Sequence, residues 1–394
     1  MLDNAPAPLD ETITIAELTR DPYPLYKRLR ADTPVLRVKA LGRTLLTRAE
    51  DTRAVKENTE VFSADDPNTP MKRAFHAHTL MRKDGTEHRA ERMAMAPAYS
   101  PKALKAHWLP MYETFATEYL DRLPRDEPVD LFPALAGPLA ARILAESLGI
   151  PQATDAEMQH WSQALIDGAG NFGWDPEPFR IVDAAHDAMN AAISSRVDIL
   201  KADPDMSALS VMINAKAPIA WSQVLANIKI AIGGGINEPR DALLTVLYGL
   251  LTNPDQLEEF KRTGDYGPAF EEAVRWVAPI QVSSRRAMED TVVGGFFIPK
   301  GDVVMTSQAS ANRDESVVDN GEVFDALRSK VPHQAFGAGP HHCLGAHMAR
   351  ATVAKVLLPM LFERFPNMRL TDPKDVVWKG FGFRGPLNLP VILG

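Results

Sequence analysis

The chain has 394 residues, of which 45% are hydrophobic and 24% charged, a composition that suits a soluble globule with a sizeable core. Lys and Arg number 43 against 51 Asp and Glu, a formal charge of −8 with no long block of one sign, which argues against a nucleic-acid partner. A single cysteine, Cys343, excludes an intramolecular disulfide and a cysteine-ligated iron–sulfur cluster.

The opening MLDNAPAPLDETITIAEL lacks the basic flank and apolar run of a signal peptide, so a cytoplasmic location is expected. Turn chemistry at DPYP (21–24) and PNTP (67–70) brackets VLRVKALGRTLLTR, which reads as strand. The most apolar stretch, LFPALAGPLAARILAESLGI from Leu131, is interrupted by Pro133, Pro138, Arg142 and Glu146. It falls short of the ~18 clean apolar residues a span needs, so no membrane anchor is expected. Apolar residues at three- and four-residue spacing predict helices over 155–166, 181–200, 221–251, 268–277 and 346–362. Between the first two lies GNFGWDPEPF (170–179), which reads equally as a mobile lid over an access channel or as an ordinary connection. TVVGGFFIP, DVVMTSQA and NLPVIL read as short strands. The sum is a mainly α body with a minor β region. No long flexible linker appears, so residues 1–394 are read as a single domain.

The predicted helix at 221–251 contains IAIGGGINEPRDALLTVL. Pro239 has no N–H, so the carbonyl of Gly235 loses its helical partner and the helix is expected to open or kink there. Gly233, Gly234 and Gly235 each cost a helix up to ~1 kcal/mol, so helix stability does not explain them; they remove side-chain bulk. Asn237 can orient a donor, whereas Glu238 can exchange a proton, and burial would raise its pKa toward neutrality. An outward Glu238 paired with Arg240 is the other arrangement open to it.

Residues 336–345 read FGAGPHHCLG and stand directly before a strongly helical pattern. A helix amino end carries partial positive charge and free N–H groups, which favour a thiolate. Gly337 and Gly339 permit backbone torsions forbidden to other residues. On composition alone a lone cysteine is more commonly a small buried apolar residue. Six spaced positions, Phe336, Gly337, Gly339, His341, Cys343 and Gly345, weigh toward a ligand loop, and this loop resembles the haem-binding loop of the cytochrome P450 family, in which the cysteine thiolate is the axial ligand.

The resemblance runs from DPYPLYKRLR to the carboxyl end. It implies a cytochrome P450 fold holding haem b (iron protoporphyrin IX), with Cys343 as the iron ligand and Phe336, Gly337 and Gly345 around it. His88 and Arg92 of HRAER, Arg285 of RRAMED and His341 match the family's partners of the haem carboxylates, with Arg286 a rival to Arg285. Glu272 and Arg275 of EEAVR, with Arg328, match its structural ion-pair cluster. ANRD (311–314) and RGPLNLPV (384–391) match fold landmarks. Where the family commonly has a small pair, an acid and a threonine, this chain has Gly234 and Gly235, Asn237 and Glu238. The usual acid and alcohol are thus absent, and Glu238 is expected to relay protons with Asn237 beside it. Phe75, Gly234, Gly235, Val282 and Phe383 match substrate-facing positions.

The implied activity is that of a monooxygenase inserting one oxygen atom from O2 into a small or medium apolar, including aromatic, molecule by hydroxylation or oxidative dealkylation. The electrons would come from a ferredoxin and its reductase, docking near His333, His341 and His342. Glu238 also leaves open a hydrogen-peroxide-driven peroxygenase, and the altered helix a non-catalytic haem-thiolate ligand-binding protein.

Overall fold

The computed structural model describes residues 4–125 and 127–394. Helix dominates, and the extended segments gather in small sheets. The largest sheet has six strands: β1 (Leu9–Asp10), β2 (Val35–Val38), β3 (Arg43–Leu46), β4 (Phe62–Ser63), β5 (Val282–Ala287) and β6 (Val303–Ser307), in the order β1-β2-β3-β6-β5-β4. The predicted strand VLRVKALGRTLLTR is a hairpin, β2 and β3, turning at Gly42 in the left-handed region (φ 60°). β5 pairs antiparallel with β6, Val282 opposite Ser307 and Arg286 opposite Val303. No strand was expected at β5, where Val282 was matched to a substrate-facing position. Successive side chains of a strand leave it on opposite faces, so the buried Arg285 and the half-buried Arg286 point to opposite sides.

Eight helices position the site: α1 (Pro70–Phe75), α2 (Gly85–Met95), α3 (Gly137–Leu148), α4 (Asp155–Ala169), α5 (Pro176–Ser194), α6 (Trp221–Leu251), α7 (Gly267–Trp276) and α8 (Ala346–Arg350). The chain continues helically after α8 through a wider π turn, Ala351–Leu357, to α9 (Leu358–Arg364). α4 starts with a capping box in which Thr154 accepts from the Glu157 N–H and Glu157 reaches back. α5 begins earlier than the apolar period indicates, because Pro176 fits the first helical position and the Asp175 carboxylate accepts from the Glu177 N–H. The expected connection at 170–179 is therefore only half loop. The helix expected over 181–200 ends at Ser194 and restarts at Val197.

α6, 31 residues and ~46 Å long, is the spine. Its amino-terminal half, with Val224, Ile228, Ile232 and Ile236, joins one apolar cluster with α3, α4 and α5. Its carboxyl-terminal half, Ala242 to Leu250, joins a second with α7 and α9. The expected opening does not occur: α6 runs through Pro239 without interruption. The proline still withholds an N–H from the Gly235 carbonyl, but packing on both halves keeps the helix closed. Among the described residues no helix is long and apolar enough to cross a membrane.

Candidate active site

The cysteine loop is shaped by backbone torsions that the sequence requires. Gly337 and Gly339 both have positive φ, 75° and 64°. A β-carbon at Gly339 would stand 3.0 Å from the Lys56 carbonyl oxygen, so a side chain is excluded by contact as well as torsion. The loop closes through the Cys343 N–H, which donates to the Phe336 carbonyl at 2.8 Å. Gly345 has an ordinary φ of −83° and caps α8; its N–H donates toward the Cys343 sulfur.

Cys343 is exposed, yet enough protein surrounds its sulfur that burial raises the thiol's pKa. Both hold when the sulfur faces a recess inside the molecule. The Gly345 N–H, Arg92 and Arg350 pull the other way without prevailing. The donor at the helix start favours the thiolate as expected, but burial outweighs it, and a cation on the sulfur is what would favour ionisation.

Across the recess stands the middle of α6. Gly234 is exposed although Ile232, Gly233, Ile236 and Asn237 around it are buried. A β-carbon at Gly234 would lie 3.6 Å from Glu238 Oε1, so Glu238 occupies the same face one turn on. A charge on Glu238 would add to the raised pKa of Cys343, and no hydrogen bond joins the two. Glu238 Oε2 and both amide atoms of Asn237 are buried with no hydrogen-bond partner among the described residues. Arg240 instead pairs with Asp241 at 2.8 Å and stacks on Phe132, so Glu238 does not hold it. Burial, with Asp241 adding, pushes the Glu238 carboxyl up to about 8, against its own backbone N–H and Arg240.

The other two glycines serve packing. A β-carbon at Gly233 would stand 3.1 Å from the Phe75 ring, and one at Gly235 2.7 Å from Leu144. Phe75 therefore packs on α6 next to the exposed Gly234, and Gly235 turns toward α3. Val282 is 8% exposed and belongs to the cluster containing Tyr26, Leu45 and Met305, within the sheet layer. Phe383 is half-buried, bridged to Ile280, with ring atoms 3.6 Å from where a Gly170 β-carbon would be.

One edge of the site is strongly cationic. The rings of His88 and His341 lie with centroids 4.2 Å apart, tilted by 32°, and His341 Nε2 lies 3.2 Å from Asp84. Burial would raise Asp84, but bonds from His341, Ser63 and the Ala64 N–H hold it at about 2. Burial, then His341 and Arg92, drives His88 down to about 4. Arg285 is 5% exposed, spends one Nη on the Ser284 carbonyl, and is lowered to about 10 by burial and by Arg82. Arg92 donates to the His342 carbonyl at 2.6 Å. Lys56, 1% exposed, reaches only Gln334 and is pulled well down by burial and by Arg285. None of Lys56, Arg82, Arg92 and Arg285 forms an ion pair among the described residues, whereas Arg286 pairs with Asp65 at 3.4 Å. A cleft of about 330 Å³ opens against Asp84, His88, Arg92 and His341. Buried cations that depress one another, with Nε of Arg82 and Arg285 and Nε2 of His88 lacking partners, form a setting that carboxylates would relieve. A flat group with a metal for the sulfur, little bulk opposite, and two carboxylates for this edge fits these residues.

Sequence reasoning missed Arg82 and Lys56. Arg82 belongs to no motif. Lys56 falls on the buried stripe of the helix Ala49–Glu57, with Ala49, Thr52 and Val55, and a charge on that stripe was the available signal.

Behind the site, Arg275 and Glu272 make two bonds of 2.7 Å, with side chains 1% and 3% exposed. Arg275 also donates to the carbonyls of Asn312 and Gly321, and Arg328 Nε reaches Glu272 at 3.1 Å. Removing Arg275 leaves Glu272 buried with half its partners. Arg275→Met is expected to lower the unfolding free energy by ~3 kcal/mol, read from the urea midpoint.

The family model described as Cytochrome P450 matches residues 269–383. Linalool 8-monooxygenase of Pseudomonas putida is 30% identical over 316 residues, covering 79% of this chain and 76% of that protein. Mycinamicin IV hydroxylase/epoxidase of Micromonospora griseorubida is 29% identical over 385 residues, 93% and 94% of the two chains. Among solved structures, the cytochrome P450 enzyme CxnD, described as acting in C–S bond formation in chuangxinmycin biosynthesis, superposes with a TM-score of 0.88 at 25% identity, covering 98% of each chain. With the sulfur facing a recess, a cationic edge and similarity to a named monooxygenase over most of its length, this chain belongs to the cytochrome P450 family of haem-dependent monooxygenases.

Proposed function

We propose that the chain, acting as one domain, inserts one oxygen atom from O2 into a small or medium apolar organic molecule, aromatic ones included, by hydroxylation or oxidative dealkylation. The observation that carries this reading is the pair of facing groups, a sulfur opening inward at Cys343 and an exposed Gly234 with an unpartnered Glu238 beside it.

Haem b, held at the iron by Cys343, would supply the activation of oxygen and its transfer to the substrate. His88, Arg92, Arg285 and His341 are assigned to its carboxylates, with Lys56 and Arg82 adding positive field behind them. Phe336, Gly337 and Gly345 hold the sulfur in place. Gly234 leaves room for substrate and oxygen. Phe75, Gly235, Val282 and Phe383 shape the apolar surroundings, Gly235 and Val282 through packing. Glu238 holds a proton on its carboxyl at neutral pH and passes it into the recess, while the Asn237 amide orients the water that refills it. Neither Asn237 nor Glu238 is pre-empted by another side chain, which supports this division.

Electrons are assigned to a separate ferredoxin and its reductase, docking on the cysteine-loop side, where His342 is exposed and Arg92 reaches the loop. A carboxyl group at Glu238 also supports a second reading, use of hydrogen peroxide as oxidant, because the same group can move a proton between peroxide oxygens. Purified holoprotein supplied with ferredoxin, reductase, NAD(P)H and a panel of phenols, terpenes and organic acids is expected to yield an oxygenated product at a rate well above that with peroxide. A higher rate with peroxide establishes the second reading, and electron consumption without product from any substrate rejects both.

A further inference from the structure

Helix α1 is only six residues long and carries Phe75 at its end, so something other than its own hydrogen bonds must hold it in place. On one side it rests on α4, where a β-carbon at Gly168 would stand 2.8 Å from that of Ala74. On another, Phe75 presses on Gly233 of α6. The third support comes from α5: His186 Nε2 lies 2.9 Å from the Ala74 carbonyl, and its Nδ1 lies 2.9 Å from Lys229 Nζ on α6. All of this is buried, His186 at 4% exposure and Lys229 at 5%.

The chemistry of these atoms fixes the direction of each bond. A carbonyl only accepts and an ammonium only donates. His186 is therefore neutral, with its proton on Nε2 for Ala74 and a lone pair on Nδ1 for Lys229. The groups around it agree. Burial, Lys229 and His76 lower His186 to about 4 against its bond to Ala74, and burial lowers Lys229 to about 8 against Asp187 of α5. Outside this core His76, which ends α1 with φ 49°, stacks on His186 at 3.7 Å and meets Asp183 of α5 at 2.5 Å. Asp183 also binds Arg73 of α1. A positive φ at a histidine is uncommon and needs such surroundings to persist.

We propose that the buried Lys229–His186 pair is a positioning device for the substrate recess, fixing the Ala74 carbonyl and thereby the wall, formed by Phe75 against Gly233, that sets how large a molecule the recess admits. Neither residue touches the reacting atoms. The inference rests on the reading that the recess beside Gly234 receives the substrate, and it adds which residues set its size.

The test uses ferric holoprotein titrated optically with imidazole and with 4-phenylimidazole, two probes differing by one ring. His186→Leu and Lys229→Met are both expected to change the ratio of the two dissociation constants about tenfold, in the same direction, with the reduced-CO band unmoved. His186→Gln, whose amide donates to Ala74 and accepts from Lys229, is expected to restore the original ratio. An unchanged ratio in Lys229→Met overturns the proposal even if His186→Leu fails to fold. So does a His186→Gln variant that behaves like His186→Leu. Nitrogen-15 shifts of His186 in the unmodified protein must show Nε2 protonated and Nδ1 bare at pH 7, and the opposite tautomer also overturns it. Failure of the haem reading would appear differently, as the absence of any optical band to titrate.

Discussion

Cys343→Ser is expected to abolish the reduced-CO absorption band typical of thiolate ligation and, with it, all oxygenated product. A serine hydroxyl stays protonated near neutrality, and the setting cannot compensate, because burial already raises the more acidic thiol. The donors that lower the sulfur, the Gly345 N–H with Arg92 and Arg350, are too weak to ionise an alcohol. The fold should survive. The loop is closed by the Cys343 N–H on the Phe336 carbonyl and by positive-φ torsions at Gly337 and Gly339, none of which involves the side chain. Circular dichroism and the urea midpoint are therefore expected to change little while the colour changes or disappears. A serine variant that keeps the band and turns over would mean that the iron is held elsewhere.

How far this site could be read in advance differs from residue to residue. The cysteine loop was legible because the constraints that mark it are local, positive torsions at two glycines and a loop ending at a helix, whereas the close approach of Gly339 to Lys56 is not local and could not be read. Glu272 and Arg275 were legible for the same reason, three residues apart on one helix. The choice between Arg285 and Arg286 was not, because it depends on β5, whose partner β6 is fixed only in three dimensions. Lys56 and Arg82 were invisible for a related cause: their role comes from burial against segments far away in the chain. At Pro239 local chemistry pointed to a break and tertiary packing overrode it, since two separate clusters grip the halves of α6. The place of Val282 in the core of the sheet layer was likewise not legible, because it depends on the pairing of β5 with β6.

Glu238→Gln is expected to lower product formation about 100-fold, the usual scale for losing a positioned proton donor, while the reduced-CO band stays in place. The substitution keeps the side chain's shape and its ability to hydrogen-bond but removes the exchangeable proton at Oε2, the atom left without a partner in the recess. The pH dependence separates proton supply from a packing effect. Burial, reinforced by Asp241 on the next turn of α6, pushes the Glu238 pKa up to about 8. Its raised pKa means that the proton is present at pH 7 and is lost as pH rises through about 8, so turnover in the unmodified protein should fall along an alkaline limb in that range. The residual turnover of Glu238→Gln should lack that limb, because an amide does not titrate. Glu238→Asp, which moves the carboxyl back by one methylene, should retain the limb at reduced rate. A glutamine variant with unimpaired product formation, or with the same alkaline limb, would assign the proton to another group, and Asp241, buried on the same face and also raised by burial, would be the next to replace.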